Sequence, residues 1–185
     1  MLKQYLKGRK VIEVACGTGY WTQFLSETAK EITAIDINNE VLVLARQKNY
    51  LCPISFQIMD AYQLAFDNES FNAGLANFWF SHIPKTKIDD FISELHRILK
   101  PRSRVFITDN HHLHLSDSLG ELITREDDAN TYKLRQLEDG SQYIVLKNYY
   151  SEDELFRIFS KHGKRFSKSN ISFGEFFWRV TYELD

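Results

Sequence analysis

The sequence predicts an α/β fold built on a doubly wound, mostly parallel sheet with helices on both faces. Over the first 110 residues, short apolar runs alternate with segments whose apolar residues recur at helical spacing. A glycine-rich turn, "ACGTG", directly follows the first apolar run. The remaining residues change to a hairpin-like pattern, which predicts an additional small cap and an antiparallel end to the sheet.

The strands and helices of the first part can be assigned one by one. The first strand-like run, "KVIEVA", stops at Gly17 and Gly19, and a helical pattern follows. The second run, "EITAIDI", precedes a helix that Asn38 or Asn39 can cap. "ISFQIM" and "FNAGLANF" form the third and fourth strands. We expect Pro101 to end the next helix, before a fifth strand in "RVFITDN".

A different pattern begins after Asn110. "TYKLRQL" and "SQYIVLKNYY" flank "EDG", which predicts a tight hairpin, so region 111–150 is expected to be an inserted cap. Ser151 and Glu154 form a capping box for a following helix. Two last strand-like runs predict a terminal antiparallel pair. Because there is no linker or repeat, residues 1–185 are expected to form a single domain.

Composition excludes several classes of function. The net charge of −2 gives no electrostatic reason to expect nucleic acid as a partner. The chain has neither an apolar run that could span a membrane nor a secretion signal at its start, so no membrane partner is expected. Its two cysteines lack metal-binding or redox spacing. The cysteine usage predicts a cytoplasmic protein, and we expect a monomer or a homodimer.

The glycine turn is the first candidate ligand site. In an open parallel sheet, ligands bind beyond the C-terminal ends of the strands, where Gly17 and Gly19 would let the backbone approach closely. A dinucleotide fingerprint needs a third glycine, but Thr22 stands at that position. Glu13, just ahead of the turn, would repel a pyrophosphate and suits a positively charged ligand.

Carboxylates follow each of the next two strands as well. Asp36 ends the second strand, where an acid can accept the ribose hydroxyls, and Asp60 follows the third. Together with Glu13 these acids would lie along one edge of the sheet. They favour a cationic nucleoside as the ligand, while the alternative is that they only cap strand ends.

At this point the sequence resembles a known family. "VIEVACGTG" resembles motif I of the class I S-adenosylmethionine-dependent methyltransferases (type 11/25-like), and "AIDIN" and "QIMDAYQL" resemble the motifs that meet ribose and adenine. "ANFWFSHIP" and "LHRILKPRSRVFITD" resemble the segments that follow. The similarity covers Lys10 to Asp109. It implies a Rossmann-like, seven-stranded sheet with an antiparallel terminal strand, S-adenosyl-L-methionine as cofactor, and methyl transfer.

The resemblance also implies cofactor contacts, residue by residue. Near the methionine portion and the turn they are Glu13, Ala15, Gly17, Gly19 and Asn77. At the ribose and adenine they are Asp36, Ile37, Asp60 and Ala61. The sequence departs from the family pattern at three places: Ala15 replaces a frequent first glycine, Asn72 replaces a frequent acid before the fourth strand, and "KPRSR" lacks the usual glycines of "KPGG".

Acceptor-side residues are less determined by sequence. His82 follows the fourth strand and is a candidate base or substrate contact, because imidazole titrates near neutral pH. Trp79, Asn110, His111 and Tyr149 are further candidates for substrate binding, although each could simply pack or cap. His111, His112 and His114 match no standard set of metal ligands, so no metal is expected.

The leading hypothesis is therefore a methyltransferase acting on a small-molecule acceptor. One alternative is a non-catalytic S-adenosylmethionine-binding module that regulates a partner. Another is an NAD-dependent oxidoreductase, which the missing third glycine and Glu13 disfavour. Aminopropyl transfer is the weakest alternative, because no acid-rich acceptor segment follows the fourth strand.

Overall fold

The computed structural model of the chain describes residues 1–111, 122–126 and 128–185. The strands are β1 (Lys10–Val14), β2 (Glu31–Asp36), β3 (Ile54–Ile58), β4 (Phe71–Asn77), β5 (Leu99–Asn110), β6 (Leu122–Arg125), β7 (Asp128–Gln136), β8 (Gln142–Leu146), β9 (Ile171–Phe173) and β10 (Phe177–Glu183). The α-helices are α1 (Leu2–Tyr5), α2 (Tyr20–Ser26), α3 (Asn39–Arg46), α4 (Ile88–Arg97) and α5 (Glu152–Phe159).

The larger sheet confirms the predicted fold class. Its seven strands run in the order β3-β2-β1-β4-β5-β10-β9, and β1 to β5 are parallel. β10 is antiparallel to both neighbours and lies between β5 and β9. The chain winds outward from β1 to β3 and then returns to β4. The strand order therefore reverses beside β1, which is where such sheets form a crevice for ligands.

Two apolar cores hold the helices against opposite faces of this sheet. On one face, Leu25 of α2 and Leu42 of α3 are buried in a cluster with Val11 and Leu75. On the other face, α4 and α5 contribute to a larger cluster that includes Trp178 and Tyr150. The predicted doubly wound arrangement follows from this, because each helix buries one apolar stripe. None of the described helices is long and apolar enough to cross a membrane.

The expectation that Pro101 ends the fourth helix is wrong. α4 ends at Arg97 and β5 begins at Leu99, so the proline lies inside the strand segment. The pairing of β5 with β4 jumps there, from Phe71 opposite Leu99 to Ala73 opposite Arg104. A residue without an N–H is tolerated in such a bulge because the ladder is already interrupted.

The cap is larger than the predicted hairpin. β7 and β8 form that hairpin, with Gly140 at φ 84° in the connecting turn, and β6 adds a third antiparallel strand. Residues 112–121 and 127 of the predicted cap, His112 and His114 among them, lie outside the described residues. In the chain, the cap sheet is inserted between β5 and α5. The end of β8 contacts the residues at the C-terminal ends of β4 and β5.

Candidate functional site

The turn after β1 has a backbone that few side chains tolerate. Ala15, Gly17 and Gly19 have φ values of 53°, 55° and 74°. A Cβ on Gly19 would collide with the hydroxyl of Tyr50 and approach Ala45, so this position excludes a side chain. At the two glycines, therefore, a ligand in the crevice can approach the main chain of the turn directly.

Asp36 is fixed directly above this turn. Its Oδ2 accepts a hydrogen bond from the Gly17 amide at 2.8 Å, and its Oδ1 accepts one from the Asn38 amide at 3.0 Å. An ionised carboxylate can accept about four hydrogen bonds, so both oxygens keep capacity for a ligand. The turn and the end of β2 thus form one preorganised unit.

A cleft of about 310 Å³ opens beside this unit. Its lining residues come from the ends of β1, β2 and β3 and from the segment after β4: Val14, Ala15, Ile35, Asp36, Ile37, Met59, Asp60, Ala61, Tyr62 and Trp79. The Trp79 ring packs edge-on against Phe91, with centroids 4.7 Å apart. The cleft therefore combines apolar walls with two carboxylates, Asp36 and Asp60.

Buried oxygens without partners lie on the neighbouring strands. Glu13 Oε2 and Asn77 Oδ1 have no hydrogen-bond partner among the described residues. Glu13 pairs in register with Leu75, and Asn77 lies two residues further along the same face of β4. Burial raises the pKa of Glu13 to about 7. Because buried polar groups are normally hydrogen-bonded, the pair is suited to a ligand that carries a cationic donor.

A second cleft, of about 700 Å³, lies beside Asn77, and six of its 14 lining residues are aromatic. The Phe78 ring stacks on Trp21 at 5.9 Å and meets Phe177 edge-on at 5.1 Å. The turn between β9 and β10 closes the other side through Gly174 and neighbouring residues. An apolar molecule would find its contacts here.

The C-terminal ends of the parallel strands form the rim of the sheet. On the side of the rim nearest the cap lies a buried ion pair that the sequence did not predict. The Lys147 ammonium lies 3.1 Å from Asp109 Oδ1 and donates to Ser81 Oγ at 2.6 Å and Asn110 Oδ1 at 2.9 Å. The Ser81 amide donates to the other Asp109 oxygen at 2.8 Å. The two charged side chains are only 4% and 0% exposed. This network fastens the end of β8 to the ends of β4 and β5.

His82 lies in the 3₁₀ turn after β4, exposed at the rim. Its Nδ1 lies 2.7 Å from the Leu146 carbonyl. Because a carbonyl only accepts, Nδ1 carries the proton, and Nε2 of the neutral ring keeps its lone pair. Although the side chain reaches solvent, the protein atoms around the ring partly desolvate it and lower the pKa of His82, and the ammonium of Lys147 lowers it further. The lowered pKa keeps the ring neutral at neutral pH, so the lone pair on Nε2 is free to act as a general base.

The remaining acceptor-side candidates have mixed surroundings. The His111 amide donates to the Phe176 carbonyl at 2.8 Å, and its ring meets Phe173 edge-on. Tyr149 is half-buried, and its ring centroid lies 6.0 Å from Lys147 Nζ. The Asn110 side chain accepts a hydrogen bond from Lys147 through Oδ1. Tyr150, by contrast, belongs to the core.

The structure brings most of the predicted cofactor residues together. Ala15, Asp36, Ile37, Asp60 and Ala61 line the smaller cleft, and Trp79 lies there with them. Asn77 lines the larger cleft, Glu13 lies within β1 just before the turn, and Gly17 and Gly19 lie in the turn between β1 and α2. Their roles toward a ligand stay predictions.

Comparisons with known proteins show which family this sequence is similar to. Residues 11–102 match the family model described as "Methyltransferase domain". The demethylmenaquinone methyltransferase of Staphylococcus epidermidis is 35% identical over 106 residues, which cover 54% of this chain and 42% of that protein. The phthiotriol/phenolphthiotriol dimycocerosates methyltransferase of Mycobacterium leprae is 30% identical over 137 residues, or 71% and 47% of the two chains. The chain thus spans about half the length of these relatives.

Solved structures support the fold. The DhpI-SAM-HEP complex superposes with a TM-score of 0.74 at 23% identity, covering 93% of this chain and 77% of that one. A SAM dependent methyltransferase from Aquifex aeolicus superposes with a TM-score of 0.65 at 19% identity, covering 100% and 87%. Because the sequence identities are this low, the structural similarity establishes the fold alone.

Proposed function

We propose that this chain, which belongs to the class I S-adenosylmethionine-dependent methyltransferase family, transfers a methyl group from S-adenosyl-L-methionine to a small-molecule acceptor. The observation that carries this proposal is the cleft beside the glycine turn. It joins two carboxylates to apolar walls at the point where strand order reverses. Those are the features that a nucleoside with a positive charge requires.

The residues present fit this cofactor. Asp36 would hold the ribose hydroxyls, because its carboxylate is already oriented by the turn. Ile37 and Ala61 would contact the adenine faces, with Asp60 at its amino group and Trp79 as the wall opposite. Glu13 and Asn77 would take the methionine end, where their unpaired buried oxygens suit an ammonium group.

When bound, the cofactor supplies a methyl group already activated by its sulfonium, so the chain's own work is alignment and exclusion of water. Asn77, Phe78 and Thr108 at the ends of β4 and β5 would position the acceptor. His82 would take up a proton through Nε2 if the acceptor carries one. The half-buried ring of Tyr149 would cover the acceptor from the cap side.

The proposed acceptor has an apolar part. The support comes from the aromatic cleft of about 700 Å³ beside Asn77. It also agrees with two relatives that are named for methylating demethylmenaquinone and phthiotriol dimycocerosates. An acceptor of that kind would contact Trp21, Phe78 and Phe177.

Calorimetric titration tests the proposal. We expect S-adenosylmethionine and S-adenosylhomocysteine to bind with micromolar dissociation constants and NAD not to bind. Asp36→Ala is expected to weaken S-adenosylmethionine binding by about 10- to 100-fold, the usual effect of losing a charged hydrogen-bond acceptor. Asp67→Ala, which removes an exposed acid away from the cleft, serves as the matched control. NAD binding, or unchanged affinity in Asp36→Ala, would contradict the proposal.

A further inference from the structure

Three cations of the cap lie together on the acceptor side of the site. They are Lys133 and Arg135 on β7 and Lys147 just after β8, and we call them the cap cation cluster. Lys133 Nζ and Lys147 Nζ lie 5.9 and 6.0 Å from the ring centroid of Tyr149. The two ammonium groups therefore flank one aromatic ring.

The register of the cap sheet explains why these side chains converge. Lys133 pairs with Val145, and Arg135 pairs with Tyr143. Side chains two residues apart share a face of a strand, so Lys133 and Arg135 point the same way, and Lys147 joins them two residues beyond Val145. Because Lys147 contacts Asp109 at the ends of the parallel strands, this face of the cap points at the rim.

The charge of the cluster is not balanced. Asp109 pairs with Lys147, and Lys133 has no carboxylate partner among the described residues although it is only 4% exposed. Arg135 likewise has no ion pair within residues 1–111, 122–126 and 128–185. Burial lowers the pKa of Lys133, and the charges of Arg135 and Lys147 lower it further. A buried ammonium whose charged neighbours are cations would be stabilised by an anion.

The cluster also lies close to the residues expected to handle the acceptor. His82 bonds to the carbonyl of Leu146, the residue before Lys147, and Asn110 accepts from Lys147 itself. The charged groups that act on His82 are Lys147, Asp109 and Arg135. A group held by the cluster would therefore lie near His82 and Asn110, two of the residues expected to contact the acceptor.

We propose that Lys133 and Arg135, with Lys147 behind them, form a subsite that binds an anionic group of the methyl acceptor, a carboxylate or a phosphate or phosphonate. The inference rests on the proposed function, because it assigns the acceptor of that same site. An ammonium supplies a point charge, and a guanidinium can bind two oxygens of one anion. The acceptor then joins an apolar body to an acidic group.

The test compares amphiphiles that differ only in their head group. Octyl phosphate, octanoate and octanol are titrated calorimetrically, below their micelle concentrations, into the full chain saturated with S-adenosylhomocysteine. The variants are Lys133→Gln, Arg135→Gln and Lys133→Arg, and Lys30→Gln removes an exposed lysine elsewhere as the control. Arg135 is only partly buried, so its variant keeps the test sound if Lys133→Gln fails to fold.

We expect at least one of the two anions to bind about tenfold more tightly than octanol, and the preferred head group tells carboxylate from phosphate recognition. Lys133→Gln and Arg135→Gln should each abolish most of that preference, whereas Lys133→Arg and Lys30→Gln should keep it. Equal binding of anion and alcohol, absence of binding by all three, or an unchanged preference in both Gln variants would overturn the subsite. Intact S-adenosylhomocysteine binding in the same samples shows that such a failure concerns the subsite alone, since loss of that binding would refute the proposed function.

Discussion

The cofactor cleft and the junction between cap and rim differ in how they are built and in the charge they carry. In the cleft, Asp36 bonds to the Gly17 amide, 19 residues away, and the other lining residues come from successive strand ends. At the junction, Lys147 reaches Ser81 across 66 residues. The cleft presents two carboxylates, whereas the junction sets the cations Lys133, Arg135 and Lys147 against the single carboxylate of Asp109. The difference underlies our proposal of a site divided by charge, with a cationic cofactor on one side and an anionic acceptor on the other.

The largest expected loss of stability comes from breaking the ion pair between Lys147 and Asp109 at the junction. Lys147→Met should lower the free energy of unfolding by about 3–5 kcal/mol, because it leaves Asp109 ionised and buried without its partner. Urea denaturation measures this, with Lys30→Met as the matched control. The double variant Lys147→Met/Asp109→Asn should recover part of the loss. A loss below about 1 kcal/mol in the single variant would mean that the pair does not fasten the cap.

The next largest effect is a dependence of protein stability on pH, which arises from Glu13 on the cleft side. Its folded pKa of about 7 lies above the usual value of 4.5 for a glutamate, so the folded state holds the proton more tightly than the unfolded chain. The stability of the protein should therefore fall by about 3 kcal/mol as the pH rises from 4.5 through 7, relative to Glu13→Gln. Denaturation at pH 4.5 and pH 8 checks this, and Glu27→Gln should follow the parent protein. Parallel pH profiles of Glu13→Gln and the parent would show that Glu13 titrates normally.

The same carboxyl should make cofactor affinity depend on pH. A cationic ligand binds better when Glu13 is ionised, so S-adenosylmethionine affinity should rise up to about tenfold between pH 6 and pH 8. Calorimetry at both pH values measures the change, and Glu13→Gln should show a flat profile. A rise of equal size in Glu13→Gln would assign the pH dependence to another group.

The smallest effect concerns the backbone of the turn. Ala15 has φ 53°, a conformation that disfavours a Cβ, so Ala15→Gly should raise stability by about 0.5–1 kcal/mol. Ala61→Gly, in the same cleft but without a positive φ, should lower stability by a similar amount. Thermal unfolding distinguishes them. A loss in both variants would show that the turn stores no strain at Ala15.

The sequence predicts the cleft better than the junction for a physical reason. Gly17, Gly19 and Asp36 act through short segments whose residue types are dictated by backbone angle and strand position. Lys147 lies in "YIVLKNYY", where a lysine is typical of an exposed strand residue, and only the docking of the cap buries it against Asp109. The alternation of Lys133 and Arg135 does signal a shared face, but not that the face points at the rim. Pro101 misled the assignment of the helix end because a bulge in β5 accommodates it.

One measurement tests the division by charge most directly: paired titrations of Asp36→Ala and Lys133→Gln with S-adenosylmethionine and with the preferred anionic amphiphile. We predict that Asp36→Ala weakens only S-adenosylmethionine binding and that Lys133→Gln weakens only the anion, each by about tenfold or more. If either variant weakened both ligands equally, or if the two effects were exchanged, the account of two oppositely charged halves would be contradicted.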